Sequence, residues 1–310
     1  MALTINTNLS SMIVQSNLNK STNQLNQAIE RMTTGYKINH ASDNAAGYSI
    51  ARNWEAKLGS LDVAADNAAT GADMLSTLED HYALISQHMQ RVRDLTEQAS
   101  NGTYGQQSKD AIESEIKARL EEINRIAANC EFNGIELMSG ENPQATSGLN
   151  IQVGTDSSDT KSKIHLSETL FASGDVVSLF GTADGYSVPT STKTKAEEIL
   201  ADRTAKIAKD CAGNGTVTGG SAKMLDHIDS VINTISSRIT TLGAAQNRIE
   251  SAIESISVQS ENITSSLSTL RDADVATESS NYIKAQILQQ ASATLLATAN
   301  QSPSIALNLL

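Results

Sequence analysis

One hydrophobic seam constrains this chain more than any other feature. Leu225, Ile228, Ile232, Ile235, Ile239 and Leu242 follow one another at alternating steps of three and four. The count resumes at Ile249, Ile253, Ile256, Ile263, Leu267 and Leu270, with Gln246 and Ser260 standing where apolar residues are due. Such spacing is the heptad signature of helices that wrap around each other. A helix over 221–271 is about 75 Å long at about 1.5 Å per residue. A compact globule of 310 residues has a radius of gyration of only about 20 Å. The spacing therefore predicts an elongated molecule. Burying these Ile and Leu side chains is worth on the order of 20–30 kcal/mol, at about 1.5–3 kcal/mol each. Ordering the segment costs at least as much. Other helices of the chain must supply further contacts.

The composition fits a mainly helical chain. Three prolines, Pro143, Pro189 and Pro303, leave long stretches uninterrupted. Aromatic residues make up 3%, fewer than a large enzyme core normally uses. The net charge of −12 argues against nucleic acid or an anionic membrane as a partner. No run approaches the roughly 20 apolar residues of a membrane span. No basic residue precedes Lys20 and no apolar run leads to a cleavage site, so a cleaved signal peptide is not expected. Cys130 and Cys211 form no metal spacing; they could pair or remain buried thiols.

Along the chain, Val14, Leu18, Leu25, Ala28 or Ile29, and Met32 form a first helical stripe. Asn6, Thr7 or Asn8 can cap its start, and Gly35 is placed to end it. After a polar loop, a second stripe runs from Ile50 through Trp54, Leu58, Leu61, Ala65, Ala68, Ala72 and Leu75. It shifts phase by one residue and continues from Leu78 to Ala99. Asn101-Gly102-Thr103 marks a turn, and Ile112, Ile116, Leu120, Ile123 and Ile126 predict a third helix over 107–129. Alternation over 149–153 and 163–166 predicts a β-hairpin. A short helix is expected over 196–209, then a glycine-rich linker before the long seam. Beyond Arg271-Asp272-Ala273-Asp274, Ile283, Ile287, Leu288, Ala291, Leu295 and Leu296 give a final helix over 277–300 an apolar side, and Pro303 is expected to end it.

Both ends are nearly uncharged. Lys20 is the sole charged residue in 1–29, and Lys284 in 279–310. Surface helices normally carry many charges. Two readings follow: loosely ordered termini, or helices that meet copies of themselves. In a helical homopolymer every charge would face its own repeats, so neutral polar side chains suit contacts that never close into a ring.

Several segments, in order, resemble bacterial flagellins. They are Met1 to Asn8, Ala28 to Asn39 with Asp43-Asn44-Ala45-Ala46-Gly47, Glu131 to Gly134, Ser268 to Ala276, Ile287 to Ala291, and Ala299-Asn300-Gln301. The resemblance spans about 1–170 and 221–310. It implies a mainly α, discontinuous architecture of coiled-coil and helical-bundle domains built from both chain ends. Residues 1–45 and 272–310 would form an inner terminal-helix coiled coil. Residues 46–175 and 221–271 would form a bundle with a β-hairpin, and 176–220 a small variable outer segment. It further implies a subunit that polymerises with itself into an extracellular filament for swimming, and export unfolded through the flagellar type III system. An export chaperone would cover 272–310, and filament cap and hook-associated proteins would be further partners. Gln90, Arg91, Val92, Arg93, Leu95 and Gln98, with Glu115 and Arg119, resemble the family's assembly surface that host Toll-like receptor 5 also recognises; Asp94, Thr96 and Glu97 depart from its best-known version. Assembly of the termini would rest on Val14, Leu18, Leu25, Ile29, Ile287, Leu288 and Leu295.

Enzyme chemistry finds no support in the residues. His81 and His88 lie seven apart on one helix, and no HExxH, P-loop or GxSxG occurs. The expectation is no enzyme, no cofactor and no metal. Besides a filament subunit, two other classes fit: a hook–filament junction protein with flagellin-like ends, and a secreted membrane-active coiled-coil protein.

Overall fold

A computed structural model describes residues 8–139, 147–156, 162–181, 196–215 and 220–307. Among them run seven α-helices: α1 (Leu9–Thr34), α2 (Ala45–Ser100), α3 (Gln106–Ala128), α4 (Val176–Gly181), α5 (Ala196–Cys211), α6 (Gly220–Arg271) and α7 (Val275–Leu307). Two antiparallel hairpins lie between α3 and α4: β1 (Glu131–Phe132) with β2 (Ile135–Glu136), and β3 (Leu149–Gln152) with β4 (Lys163–Leu166). The chain divides into two units. Unit 1 is 1–59 with 259–310, and unit 2 is 60–258. Residues 46–59 and 259–271, expected in the bundle, thus group with the terminal helices. The opening Met1 to Thr7 and the second half of the 154–159 turn lie outside the described residues.

The long seam of α6 resolves into two layers. Ile228, Ile235, Leu242, Ile249 and Ile256, each seven residues apart, are buried. Leu225, Ile232, Ile239 and Ile253 are half-buried in the alternate positions, and beyond Ile256 both series are half-buried, at Ile263, Leu267 and Leu270. Both polar interruptions fall in the half-buried layer. Gln246 uses its position to donate from Nε2 to Glu79 Oε2 at 2.9 Å.

α2 carries a matching register. Leu61, Ala64, Ala68, Gly71, Leu75, Leu78, Tyr82, Ile85, Met89 and Val92 are buried in unbroken steps of three and four. The expected phase shift does not exist. Ala64 and Gly71 face inward in place of Ala65 and Ala72, because small residues lie where the hairpin approaches. A Cβ on Gly71 would stand 2.4 Å from Ile151 Cδ1. Ile151 pairs with Ile164 across the hairpin, and both are buried.

Turns follow local chemistry. Asn133 (φ 50°) and Gly134 (φ 76°) make the two-residue turn between β1 and β2 that Asn-Gly favours. Segment 176–220 does more than connect: Val176, Leu179, Phe180, Ile207, Ala208, Cys211 and Ala212 are buried in the core of unit 2. α5 packs on α3, with Asn124 Nδ2 donating to Thr204 Oγ1 at 3.0 Å and Asn124 Oδ1 accepting from the Val176 N–H at 2.9 Å.

One polar cluster crosses this core. The Tyr82 ring is fully buried, and its hydroxyl donates to the Leu170 and Ala172 carbonyls at 3.4 and 3.3 Å. Arg238 Nη1 donates to the Tyr82 oxygen and to the Ala172 and Ser173 carbonyls at 3.1–3.2 Å. Burial pushes the Tyr82 phenol up, opposed by the Arg238 charge. Cys130 and Cys211 are buried and unpaired, and burial pushes both thiols up to about 12.

Gly71→Val should overpack the hairpin contact and lower stability by about 1–3 kcal/mol. Ile235→Ala should cost about 2–5 kcal/mol, and the same change at half-buried Ile253 distinctly less. Guanidinium unfolding followed by circular dichroism measures all three.

Candidate assembly surface

α1 and α7 lie against each other along their length, and their backbones approach closely. The reason is visible in the contact residues. Ser21 and Ala28 on α1, and Ala285 and Ser292 on α7, are buried at intervals of seven. Between them sit half-buried Val14, Leu18 and Leu25 on one side and Tyr282, Gln289 and Leu296 on the other. Gln289 Nε2 donates to Thr22 Oγ1 at 3.2 Å. This is a heptad seam in spacing, filled with small and polar side chains.

The pair is closed at both ends. Asn8 Oδ1 accepts from the Ser11 N–H at 3.1 Å and caps α1, while its Nδ2 donates to the Ala299 carbonyl at 2.8 Å. That carbonyl would otherwise lack a donor, since residue 303, four positions on, is a proline. This explains why α7 runs on to Leu307 instead of ending at Pro303 as expected. Nearer the other end, Arg31 Nη1 donates to Glu278 Oε1 at 3.2 Å.

A clasp then ties the two helix breaks together. Gly35, in the left-handed region at φ 75°, ends α1 with its N–H on the Arg31 carbonyl. The next residues cross the α6–α7 break as an antiparallel bridge, Tyr36 opposite Asp272. The Lys37 N–H donates to the Arg271 carbonyl at 2.7 Å, and the Ala273 N–H to the Gly35 carbonyl at 2.8 Å. The Arg271 guanidinium lies 4.1 Å from the Tyr36 ring centroid and pairs with Glu55. Asp43 organises the following loop. Hydrogen bonds from the His40 and Asn39 N–H groups hold its carboxyl below the ordinary 3.8. Asp274 starts α7 and is held low in the same way, first by the Thr277 hydroxyl and then by the Ala276 and Thr277 N–H groups.

What the pair leaves outside matters most. The apolar side expected to serve α7 faces away from α1: Ile287 is 59% exposed, Leu295 56%, Ile283 54% and Leu288 42%. On α1, Leu9, Met12, Ile13, Ile29 and Met32 are also exposed. Val14, Leu18 and Leu25 therefore belong to the pair, whereas Ile29, Ile287, Leu288 and Leu295 are unpartnered. Exposed apolar stripes of this kind mark interaction sites.

The second expected surface, on α2 and α3, is partly corrected. Val92 and Leu95 are 0% and 1% exposed, so they support the stretch from beneath and offer nothing to a partner. Heptad geometry turns them inward. Gln90, Arg91 and Gln98 are exposed, and Arg93, Glu115 and Arg119 partly so. Arg91 Nη2 donates to Glu115 Oε1 at 3.0 Å, and Arg119 lies 3.9 Å from the same oxygen. Arg93 Nε donates to Asp229 Oδ1 at 2.6 Å, and Gln98 Nε2 to the Tyr104 hydroxyl at 3.1 Å. The surface is thus a patch of internally paired charges. His81 Nδ1 rests 2.7 Å from the Thr77 carbonyl. Among the described residues, no three His, Cys, Asp or Glu side chains are placed to hold a metal, and no helix is long and apolar enough to cross a membrane.

Comparison with known proteins gives a consistent result. The profile of the bacterial flagellin N-terminal helical region matches residues 5–143, and that of the C-terminal helical region matches 225–310. Polar flagellin F of Vibrio parahaemolyticus serotype O3:K6 (strain RIMD 2210633) is 29% identical over the whole of both chains. Flagellin B of Vibrio anguillarum is 30% identical, again over the whole of both. Among solved structures, a proposed flagellar hook-associated protein from Vibrio parahaemolyticus shares the fold. Its TM-score is 0.55 at 14% identity, over 74% of this chain and 100% of that one.

Removing the clasp with Arg271→Ala should weaken it by about 1–2 kcal/mol, so the Lys37 and Ala273 amides exchange about 5–30-fold faster. Arg271→Lys should fall between. Asp43 and Asp274 have folded pKa values below their unfolded value, so their contribution is present above 3.8 and lost as pH falls through the folded values. Amide exchange at Asn39, His40, Ala276 and Thr277, corrected for its intrinsic pH dependence, should therefore accelerate on acidification below 3.8.

Proposed function

We infer the following from the premise that the chain belongs to the bacterial flagellin family. It is a structural subunit of the extracellular flagellar filament and no enzyme. The finer reading is that copies of this chain polymerise through α1 and α7 into the helical propeller for swimming. The observation that carries it is the division of labour on these helices. Small and polar residues zip the pair, while Ile29, Ile283, Ile287, Leu288 and Leu295 remain uncovered. A seam of Ala and Ser buries little apolar area, so the pair gains most of its stability only when a neighbour covers the outer stripe.

The remaining elements follow from that reading. The terminal-helix layer would line the filament's inner channel, and the bundle, whose core includes Val176, Leu179, Phe180, Ile207 and Ala208, would form the next layer. Marginal terminal helices suit export in the unfolded state by the type III route, with a chaperone covering 272–310 until assembly. Cap and hook-associated proteins would meet the ends of the polymer. The patch of Gln90, Arg91, Arg93, Gln98, Glu115 and Arg119 would serve contacts between copies first. Toll-like receptor 5 would meet there an Arg91 already paired with Glu115 and an Arg93 already paired with Asp229. A hook–filament junction role is the second reading, favoured only by the fold shared with the hook-associated protein.

Seeded elongation watched by electron microscopy decides between them. The intact chain should grow into long uniform filaments, and a junction protein should not. Ile287→Asp or Leu295→Asp should raise the critical concentration at least about tenfold, roughly 1.4 kcal/mol per contact, with helicity of the monomer little changed. Deleting 279–310 should abolish growth and leave a helical fragment. Unchanged growth would refute the role given to these helices.

A further inference from the structure

The methionines fall into two sets. Met74, Met89, Met138 and Met224 are at most 4% exposed and belong to the core of unit 2. Met12 is 62% exposed and Met32 38%, and both lie on α1. Each belongs to one of the two exposed apolar groups of that helix, Leu9, Met12 and Ile13 near its start and Ile29 and Met32 near its end. The seventh, Met1, lies outside the described residues. A thioether is soft and readily oxidised, where a Leu or Ile at the same place would be inert. Its sulfur attacks one oxygen of hydrogen peroxide. An S–O bond forms, the O–O bond breaks, and the proton of the transferred oxygen leaves with the other oxygen as water. Sulfur is oxidised by two electrons and the peroxide reduced by two. The product, a sulfoxide, puts a polar group where an apolar one stood. Access separates the two sets, because the core sulfurs are shielded and the α1 sulfurs are open. The thiols compete poorly, since Cys130 and Cys211 are buried.

Resting on the filament reading above, we propose that Met12 and Met32 are modification sites at which a peroxide sets whether a free subunit can join the filament. The outer stripe loses its water when a second copy covers it. A sulfoxide there carries a strong hydrogen-bond acceptor into an apolar contact, where it is left unpaired. Subunits already in the filament have both sulfurs covered. An oxidant therefore arrests growth and spares what is already built. Enzymatic reduction of the sulfoxides reverses the arrest.

Limited treatment of the full-length chain with hydrogen peroxide, as free subunits and as seeded filaments, tests this by peptide mass spectrometry. In free subunits Met12 and Met32 should gain oxygen at least about tenfold faster than Met74, Met89, Met138 and Met224, which wait for local opening. In filaments the rate at Met12 and Met32 should fall at least about tenfold for the same reason. Subunits oxidised at both sites should show a critical concentration raised about tenfold, equivalent to about 1.4 kcal/mol. Methionine sulfoxide reductases A and B with dithiothreitol should restore the original value. The double variant Met12→Leu, Met32→Leu keeps the stripe apolar, so it should elongate like its parent and continue to do so after peroxide. Equal oxidation of core and α1 methionines, undiminished growth of oxidised subunits, or a double variant arrested by peroxide as fully as its parent would overturn the proposal and leave the filament reading standing. Failure of the untreated chain to elongate would overturn both.

Discussion

Inward side chains at alternating steps of three and four are the constraint on which both units rest. The geometry is the same in each, but the chemistry differs. In unit 2 the positions hold Leu, Ile, Met, Val and Tyr, and burial of apolar area drives the packing. In unit 1 they hold Ser, Ala and Gln beside a few larger residues, which draws the backbones together without much hydrophobic gain. One unit is stable by what it encloses. The other is shaped to pair closely and still keep its apolar side free.

Specific polar contacts set the register where apolar packing is weak. Asn8 satisfies two backbone groups on different helices, one of them the carbonyl orphaned by Pro303. The Tyr36–Arg271–Glu55 clasp fixes the loop after α1 to the break before α7. Neither contact adds much energy singly. Each removes an alternative arrangement of two helices that would otherwise slide, since small side chains resist displacement poorly.

Much of this was legible in the residues, for identifiable reasons. The α6 seam was readable because Ile and Leu carry the heptad almost alone. Gly35 as a helix end, the two hairpin strands and the α5 helix followed from local chemistry. The phase of α2 is ambiguous in the residues, because Ala64 sits beside Ala65 and Gly71 beside Ala72. A pattern based on hydrophobicity cannot choose between such neighbours; the approach of Ile151 does. The face of α7 that meets α1 leaves no mark of this kind, because Ala285 and Ser292 make the contact while the large apolar residues point outward. The role of Arg271 is not legible locally, because its stacking on Tyr36 joins residues 235 positions apart. Pairings of that range depend on the fold and leave no local trace.

The two cysteines have a consequence of their own. Cys130 and Cys211 lie in unit 2, completely shielded, and as neutral thiols they are poor nucleophiles. An oxidant in the medium therefore reaches them only through opening of the bundle. Their modification would record, molecule by molecule, how often that happens, and a subunit held tightly by its surroundings would age more slowly than a free one.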